Sequence, residues 1–383
     1  MKALAYQGPK QVEIVDKPEP RIEHPADAIV RVTRAAICGS DLHLYHGLVP
    51  DTRVGHTFGH EFTGVVEEVG RGVTTLRRGH RVVVPFNISC GSCFFCARGL
   101  TANCERTNPN STLVGGVYGY SHLTGGYDGG QAQYVRVPFA DAGPFPIPDD
   151  MDDESVLFLS DILPTGYQAA EMGEIKDGEI VAIFGAGPVG LFAARSAWLM
   201  GAGRVIVIDS VDYRLAFAQR FAQAETIDYT QVDDIVEHLR VLTDGRGPDV
   251  VIDAVGLEAS GSRLHRAMGA AMLQAGAANV LQWAMSAVRR GGNVSVIGVY
   301  GPPWNLVPIG VAMNKGLTLR MGQCSVRRYM PHLLEHIRAG RIDAKAVISH
   351  RLPLEDAPKG YHIFANKQDD CIKCVLLPNG GAA

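Results

Sequence analysis

Four of the eight cysteines, Cys90, Cys93, Cys96 and Cys104, fall in CGSCFFCARGLTANC with two, two and seven residues between successive sulfurs. Four thiolates on one short glycine-containing loop can close a tetrahedron around zinc with no open position, the arrangement of a structural site. An iron–sulfur cluster is the sharper rival, since spaced cysteines also hold those, but the chain carries no second electron-transfer motif. A less complete constellation is Cys38, in AAICGSDLHLYHG at the end of an expected strand, with His60 in GHE. One thiolate and one imidazole leave a zinc site short of a ligand. Taken alone, Cys38 reads more readily as a small buried hydrophobe and His60 as a hydrogen-bonded loop histidine. Cys371 and Cys374 form C-x-x-C, but if CIKCVLLP is a strand, residues three apart point to opposite faces. The pair then reads, like Cys324, as core or edge cysteines.

A different chemistry is written between Ile180 and Ser210. An Ile- and Val-rich run, IVAIF, reads as a buried parallel strand and stops at Gly185. Gly185, Gly187 and Gly190 make G-x-G-x-x-G, with Pro188 and Val189 opening a helix that Gly201 and Gly203 end. A second strand, Val205 to Ile208, leads to Asp209. A strand, tight turn, helix and strand with an acid about twenty residues on is the setting in which this motif binds a dinucleotide. Gly185 permits the turn, Gly187 lets backbone approach a pyrophosphate, and Gly190 lets helix pack on sheet, while the helix N-terminus attracts phosphate. Asp209 would accept from both ribose hydroxyls and repel a 2′-phosphate, which favours NAD over NADP.

The elements that must position these groups follow from composition and texture. At 383 residues, 46% hydrophobic and 20% charged, the chain suits two soluble domains. A net charge of −4 gives no footprint for nucleic acid or an anionic membrane. The N-terminus lacks the apolar core of a signal peptide, no segment has the length of a membrane span, and a cytoplasmic location with unpaired cysteines is expected. Short alternating strands (Ala28 to Thr33, Val65 to Val69, Arg81 to Val84, Gln133 to Val137) make the first part mostly β. From about Met151 strands and helices alternate, through VVIDAVG (Val250 to Gly256) and VSVIGVY (Val294 to Tyr300), as a doubly wound α/β sheet requires. The segment Leu257 to Gly291 is longer than one crossover helix needs and reads as a helix plus a loop. After Met321 come a helix, Tyr329 to Ala339, and strand-like pieces that can rejoin the first domain. The expected division is 1–162, 163–321 and 322–383.

At these residues the chain resembles the zinc-dependent medium-chain alcohol dehydrogenases over nearly its whole length. GHEFTGVVEEVGRGV (Gly59 to Val73) is similar to that family's zinc signature, and the cysteine loop and glycine turn follow in the family's order. CGSDLH, VPFNISCGSCFFC, GGVYGY, GGQAQYVRVPFAD, LSDILPTGY and the long segment after DAVG place it nearest the glutathione-independent formaldehyde dehydrogenase branch. The resemblance implies a GroES-like catalytic domain, a Rossmann domain, an active site in the cleft between them, and a homo-oligomer, in this family a tetramer. It makes Cys38, His60 and Asp161 the catalytic zinc ligands, beside a structural zinc on the cysteine loop. An oxygen from Asp161 departs from the family's commoner Cys₂His set; the alternative for Asp161 is a helix N-cap ahead of Pro164. Glu61 becomes an alternate ligand or a carboxylate behind the ligands. Ser40 and His43 become a proton relay, with His46 and His56 as surface residues. Thr165, Val299, Lys373 (towards the pyrophosphate) and Arg214 (near the adenosine ribose) become cofactor contacts. The long segment after Gly256 becomes a cover over bound cofactor.

The reading is a zinc- and NAD-dependent dehydrogenase of a small primary alcohol or an aldehyde, with formaldehyde entering as its hydrate. A polyol or sugar dehydrogenase shares the scaffold. A non-catalytic dinucleotide-binding protein is disfavoured, because such a module has no use for a relay.

Overall fold

The computed structural model describes residues 1–256, 275–300 and 307–380. The chain forms two compact units, Met1–Pro164 with Cys324–Ala383, and Thr165–Gln323. In the first, β1 (Lys2–Gly8) and β2 (Gln11–Asp16) form an antiparallel ribbon. The long strand β3 (Ala28–Ile37) pairs antiparallel with β4 (Glu61–Val69), and β4 with β5 (Arg81–Val84). A small ribbon joins β6 (Asn87–Ile88) to β7 (Gly116–Val117), while β8 (Tyr134–Val137) and β9 (Phe145–Pro146) pair with β3 and β5.

The second unit holds, among the described residues, a parallel sheet of six strands: β10 (Ile180–Phe184), β11 (Arg204–Asp209), β12 (Glu225–Asp228), β13 (Val250–Asp253), β14 (Asn293–Val296) and β15 (Thr318–Met321). Their order, β12-β11-β10-β13-β14-β15, is that of a Rossmann fold. Val181, Ile183, Ile206, Val207, Val250 and Val251 are fully buried or nearly so, the double-faced burial that makes parallel strands read as unbroken apolar runs. Of the segment expected as helix plus loop, Ala275–Ala287 is helical, whereas residues 257–274, and with them most of the expected cover, lie outside the described residues.

The chain then returns to the first unit through a helix, Val326–Arg338, whose Val326, Tyr329, Met330, Leu333 and Leu334 are buried at helical spacing. β16 (His350–Pro353) pairs parallel with β17 (Cys374–Leu377), and β17 pairs antiparallel with β3. The pairings of β3 correct two expected boundaries. β3 runs on to Ile37 because Ala35, Ala36 and Ile37 face Leu376, Val375 and Cys374, and β4 starts at Glu61 because Glu61 faces Ala36. The apolar core of this unit includes Leu4, Val30, Ile37, Phe58, Phe62, Tyr118 and Tyr361. No helix among the described residues is long and apolar enough to cross a membrane.

Candidate active site and metal centres

The extended β3–β4 pairing decides where Cys38 and His60 go. Cys38 follows the last residue of β3 and His60 precedes the first of β4, and with Ala36 opposite Glu61 the two side chains emerge together. Asp161 arrives from a separate part of the chain, after a 3₁₀ turn (Phe158–Ser160) that is tied to the end of β5 when the Phe86 N–H donates to Ser160 O at 2.8 Å. Asp161 Oδ2 lies 3.2 Å from His60 Nε2 and 3.6 Å from Cys38 Sγ, and all three residues are buried. Zinc bonds of about 2.3 Å to sulfur and about 2.0 Å to nitrogen and oxygen, set tetrahedrally, span about 3.5 Å for S···O and about 3.3 Å for N···O. The donor set therefore fits zinc in both element type and spacing. Asp161 does occupy the position ahead of the helix Ile162–Met172, but its carboxylate is on the cluster.

The charges around the cluster are also set for a cation. Burial opposes charge on His60, yet Asp41, Cys38 and Asp161 outweigh it and hold the imidazole well above its usual pKa. Burial, with Glu61 and Asp161, pushes the Cys38 thiol up, against the pull of Lys373 and His60. Ser40 and His43 stand on the short helix Gly39–Tyr45. The Ser40 hydroxyl lies 3.1 Å from His60 Nε2 and 3.3 Å from Cys38 Sγ, while His43 Nδ1 lies 3.4 Å from the Tyr120 hydroxyl. Burial, helped by the neighbouring His46, lowers the His43 pKa to about 4, so the ring is neutral near pH 7.

Behind His60 stands a residue that sequence reasoning missed. Asp41 Oδ1 lies 3.1 Å from His60 Nδ1, and its Oδ2 accepts from the Cys38 N–H at 2.9 Å and from Gln131 Nε2 at 3.1 Å. Gln131 Oε1 in turn accepts from the Tyr361 hydroxyl at 2.8 Å. A carboxylate on Nδ1 fixes the tautomer that leaves Nε2 free to ligate. Asp41→Asn is therefore expected to keep the fold but lower kcat and zinc retention by about 10- to 100-fold, measured by turnover and by zinc content after dialysis against a chelator. The spacing Cys38-x-x-Asp41 was the available signal, since a side chain three residues into a helix reaches back to the preceding N–H.

Glu61 and Lys373 form a fully buried ion pair at 2.5 Å, with Lys373 Nζ also 5.7 Å from the centre of the Phe158 ring. Lys373 was expected to face a pyrophosphate. In this structure its ammonium pairs with Glu61, because burying either charge without the other is costly. Burial alone would favour the neutral amine, but Glu61 and Cys38 outweigh it and keep Lys373 charged. His56 also departs from expectation: it is buried, with Nδ1 3.7 Å from Asp128 Oδ1, and not a surface residue.

On the cysteine loop, Cys90 and Cys96 sulfurs lie 4.0 Å apart and Cys93 and Cys104 sulfurs 3.9 Å apart. Two tetrahedral zinc–thiolate bonds span about 3.8 Å. The Cys90 N–H points at Cys104 Sγ (3.3 Å) and the Cys93 N–H at Cys90 Sγ (3.4 Å), the contacts that support thiolates. Burial works against the Cys93 thiolate, but N–H groups of Cys96 and Glu105 and the neighbouring thiols bring its pKa down to about 7.

In the Rossmann unit, Gly185 has φ +102° and Gly187 caps the helix Pro188–Leu199. A Cβ on Gly190 would sit 1.9 Å from Gly185 O, so only glycine lets the helix start this close to the turn. A Cβ on Gly187 would meet nothing within 4 Å, which leaves open space over the turn. Asp209 Oδ2 accepts from the Ala186 N–H at 2.7 Å, and Oδ1 from the Ser210 and Val211 N–H groups, so this carboxylate also fixes the turn. Val189, Arg214, Thr165 and Val299 are half-buried; the Arg214 guanidinium lies 6.0 Å from the Tyr213 ring centre.

Residues 24–149 match the alcohol dehydrogenase GroES-like domain and residues 188–271 the zinc-binding dehydrogenase domain. The uncharacterized zinc-type alcohol dehydrogenase-like protein AdhB of Bacillus subtilis (strain 168) is 46% identical over 99% of this chain and 100% of its own. The chain belongs to the zinc-dependent medium-chain alcohol dehydrogenases. Within this dehydrogenase family it is 36% identical to the glutathione-independent formaldehyde dehydrogenase of Pseudomonas aeruginosa, over 95% of this chain and 94% of that one. The alcohol dehydrogenase TADH from Thermus sp. ATN1 shares 38% identity, with a TM-score of 0.85 over 98% and 99% of the two chains.

Proposed function

We propose that this dehydrogenase oxidises a small primary alcohol or an aldehyde hydrate with NAD, using one zinc on Cys38, His60 and Asp161 and a second on Cys90, Cys93, Cys96 and Cys104. The observation that carries the reading is the buried sulfur, nitrogen and oxygen donor set with the Ser40 hydroxyl against it. When bound, zinc supplies the Lewis acidity that makes the substrate hydroxyl acidic, and NAD supplies the hydride acceptor. The chain's own residues do the rest. Ser40 takes the hydroxyl proton, and His43, three residues on along the same short helix and neutral at pH 7, passes it towards solvent. Asp41 holds His60 in its ligating tautomer. Lys373 neutralises Glu61, which keeps that carboxylate from adding a second negative charge beside Asp161. Asp209 favours NAD over NADP by its charge at the end of β11.

The test is initial rates with NAD and with NADP across primary alcohols, polyols and formaldehyde. Highest kcat/KM is expected for a primary alcohol or formaldehyde with NAD. A polyol preferred by tenfold or more would move the protein to the polyol dehydrogenases, and a preference for NADP would overturn the reading of Asp209.

A further inference from the structure

The sequence reading set Cys371 and Cys374 aside because a strand through both would point them apart. The strand does not run through both. β17 begins at Cys374, and Cys371 lies in the preceding turn, where its N–H donates to Gln368 O at 3.0 Å. Lys367, Asp369 and Asp370 all have left-handed backbone (φ +55°, +53° and +51°), so three non-glycine residues in four positions bend the chain at a conformational cost. The bend brings the Cys371 and Cys374 sulfurs to 3.4 Å, unbonded and fully buried. A third donor is set beside them by the sheet. His350 is the register partner of Cys374 in the parallel β16–β17 pair, so the two side chains leave the same face one strand spacing apart.

We propose that His350, Cys371 and Cys374 form a third metal site, for zinc or another soft d¹⁰ cation such as Cu⁺. The three donor atoms lie within 4.8 Å of one another. Two sulfurs and an imidazole select such ions over calcium or magnesium, which take oxygen. The site is braced from behind: Ser349 Oγ accepts from the Ile372 and Lys373 N–H groups at 3.0 and 3.1 Å and lies 2.9 Å from His350 Nδ1, a contact that orients the ring. The sulfurs need to part by only about 0.4 Å to span a zinc ion. On binding, each thiol releases its proton to solvent and the imidazole stays neutral, so two thiolates balance Zn²⁺. Half-buried His350 on edge strand β16 offers the way in. A dithiol that served only to form a disulfide would have no use for the histidine. The ion would clamp both sides of Lys373, whose ammonium holds Glu61.

The test compares wild type, Cys374→Ser and His350→Ala after equilibration with micromolar Zn²⁺ and, in a parallel arm under reductant, with Cu⁺, followed by gel filtration and metal analysis. Wild type is expected to hold one more ion per subunit than Cys374→Ser, with His350→Ala retaining that ion at least tenfold more weakly and the other two ions unchanged in all three proteins. The arm that fills the site identifies the ion. His350 is half-exposed on the sheet edge, so its alanine variant reports even where Cys374→Ser fails to fold. Equal metal content in wild type and His350→Ala overturns the proposal. So does a wild type that takes up no third ion but loses two mass units across Cys371 and Cys374 with mild peroxide, which would make the pair a redox dithiol. Neither result touches the other two zinc sites, which share no ligand with this one.

Discussion

Asp161→Asn is expected to lose one zinc per subunit and to lower kcat by more than about a hundredfold, beyond what losing a hydrogen-bonded support of a ligand costs. Folding stability should hardly change. Asparagine caps a helix nearly as well as aspartate, so the variant spares any capping role ahead of Ile162–Met172 while replacing an anionic donor by a neutral one. The geometry says why the loss is specific: Asp161 Oδ2 is the donor within 3.2 Å of His60 Nε2 and 3.6 Å of Cys38 Sγ. Asp161→Cys should keep the metal, since it restores the family's commoner ligand set. If Asp161→Asn keeps its full zinc content and near-normal turnover, Asp161 is a cap and the ligand set is wrong, with Glu61 the next residue to test. Zinc analysis, steady-state kinetics and a melting curve on the same preparation decide it.

Cys104→Ala is expected to act in the opposite way, on stability first. Cys104 is fully buried, and its sulfur closes the four-cysteine cluster against Cys93 at 3.9 Å while accepting the Cys90 N–H. The loop it closes is two single 3₁₀ turns, Cys96–Arg98 and Thr101–Asn103, with exposed Phe94 and Leu100 and little apolar burial of its own. If such a loop takes its order from an ion, the binding free energy is folding free energy. The variant should lose one zinc, melt several degrees lower and become insensitive to the chelator that destabilises wild type. An unchanged melting temperature together with a missing zinc would show that the loop folds without metal.

What could be read in the chain beforehand divides by distance along it. The glycine turn was legible because strand, turn, helix and acid fall within about thirty contiguous residues and each carries its own local rule. The cysteine loop was legible for the same reason. Asp161 was not, because a hundred residues separate it from His60 and only the resemblance joined them; the join is made by β5 and the 3₁₀ turn that follows it in space. The true end of β3 was hidden because it is completed by β17, more than three hundred residues beyond it, and the true start of β4 because it pairs with that end of β3. That same return strand explains a misreading: an apolar run such as CIKCVLLP does not reveal where its strand begins, so Cys371 was placed on it. Asp41 was a local signal that went unread.

The central claim is that Cys38, His60 and Asp161 together hold a catalytic zinc ion. A crystal of the purified protein measured on both sides of the zinc absorption edge tests it directly. The account predicts an anomalous peak about 2.3 Å from Cys38 Sγ and about 2.0 Å from His60 Nε2 and an Asp161 carboxylate oxygen. In an active preparation, an empty cluster, or a peak bound through Glu61 with Asp161 turned away, would contradict it.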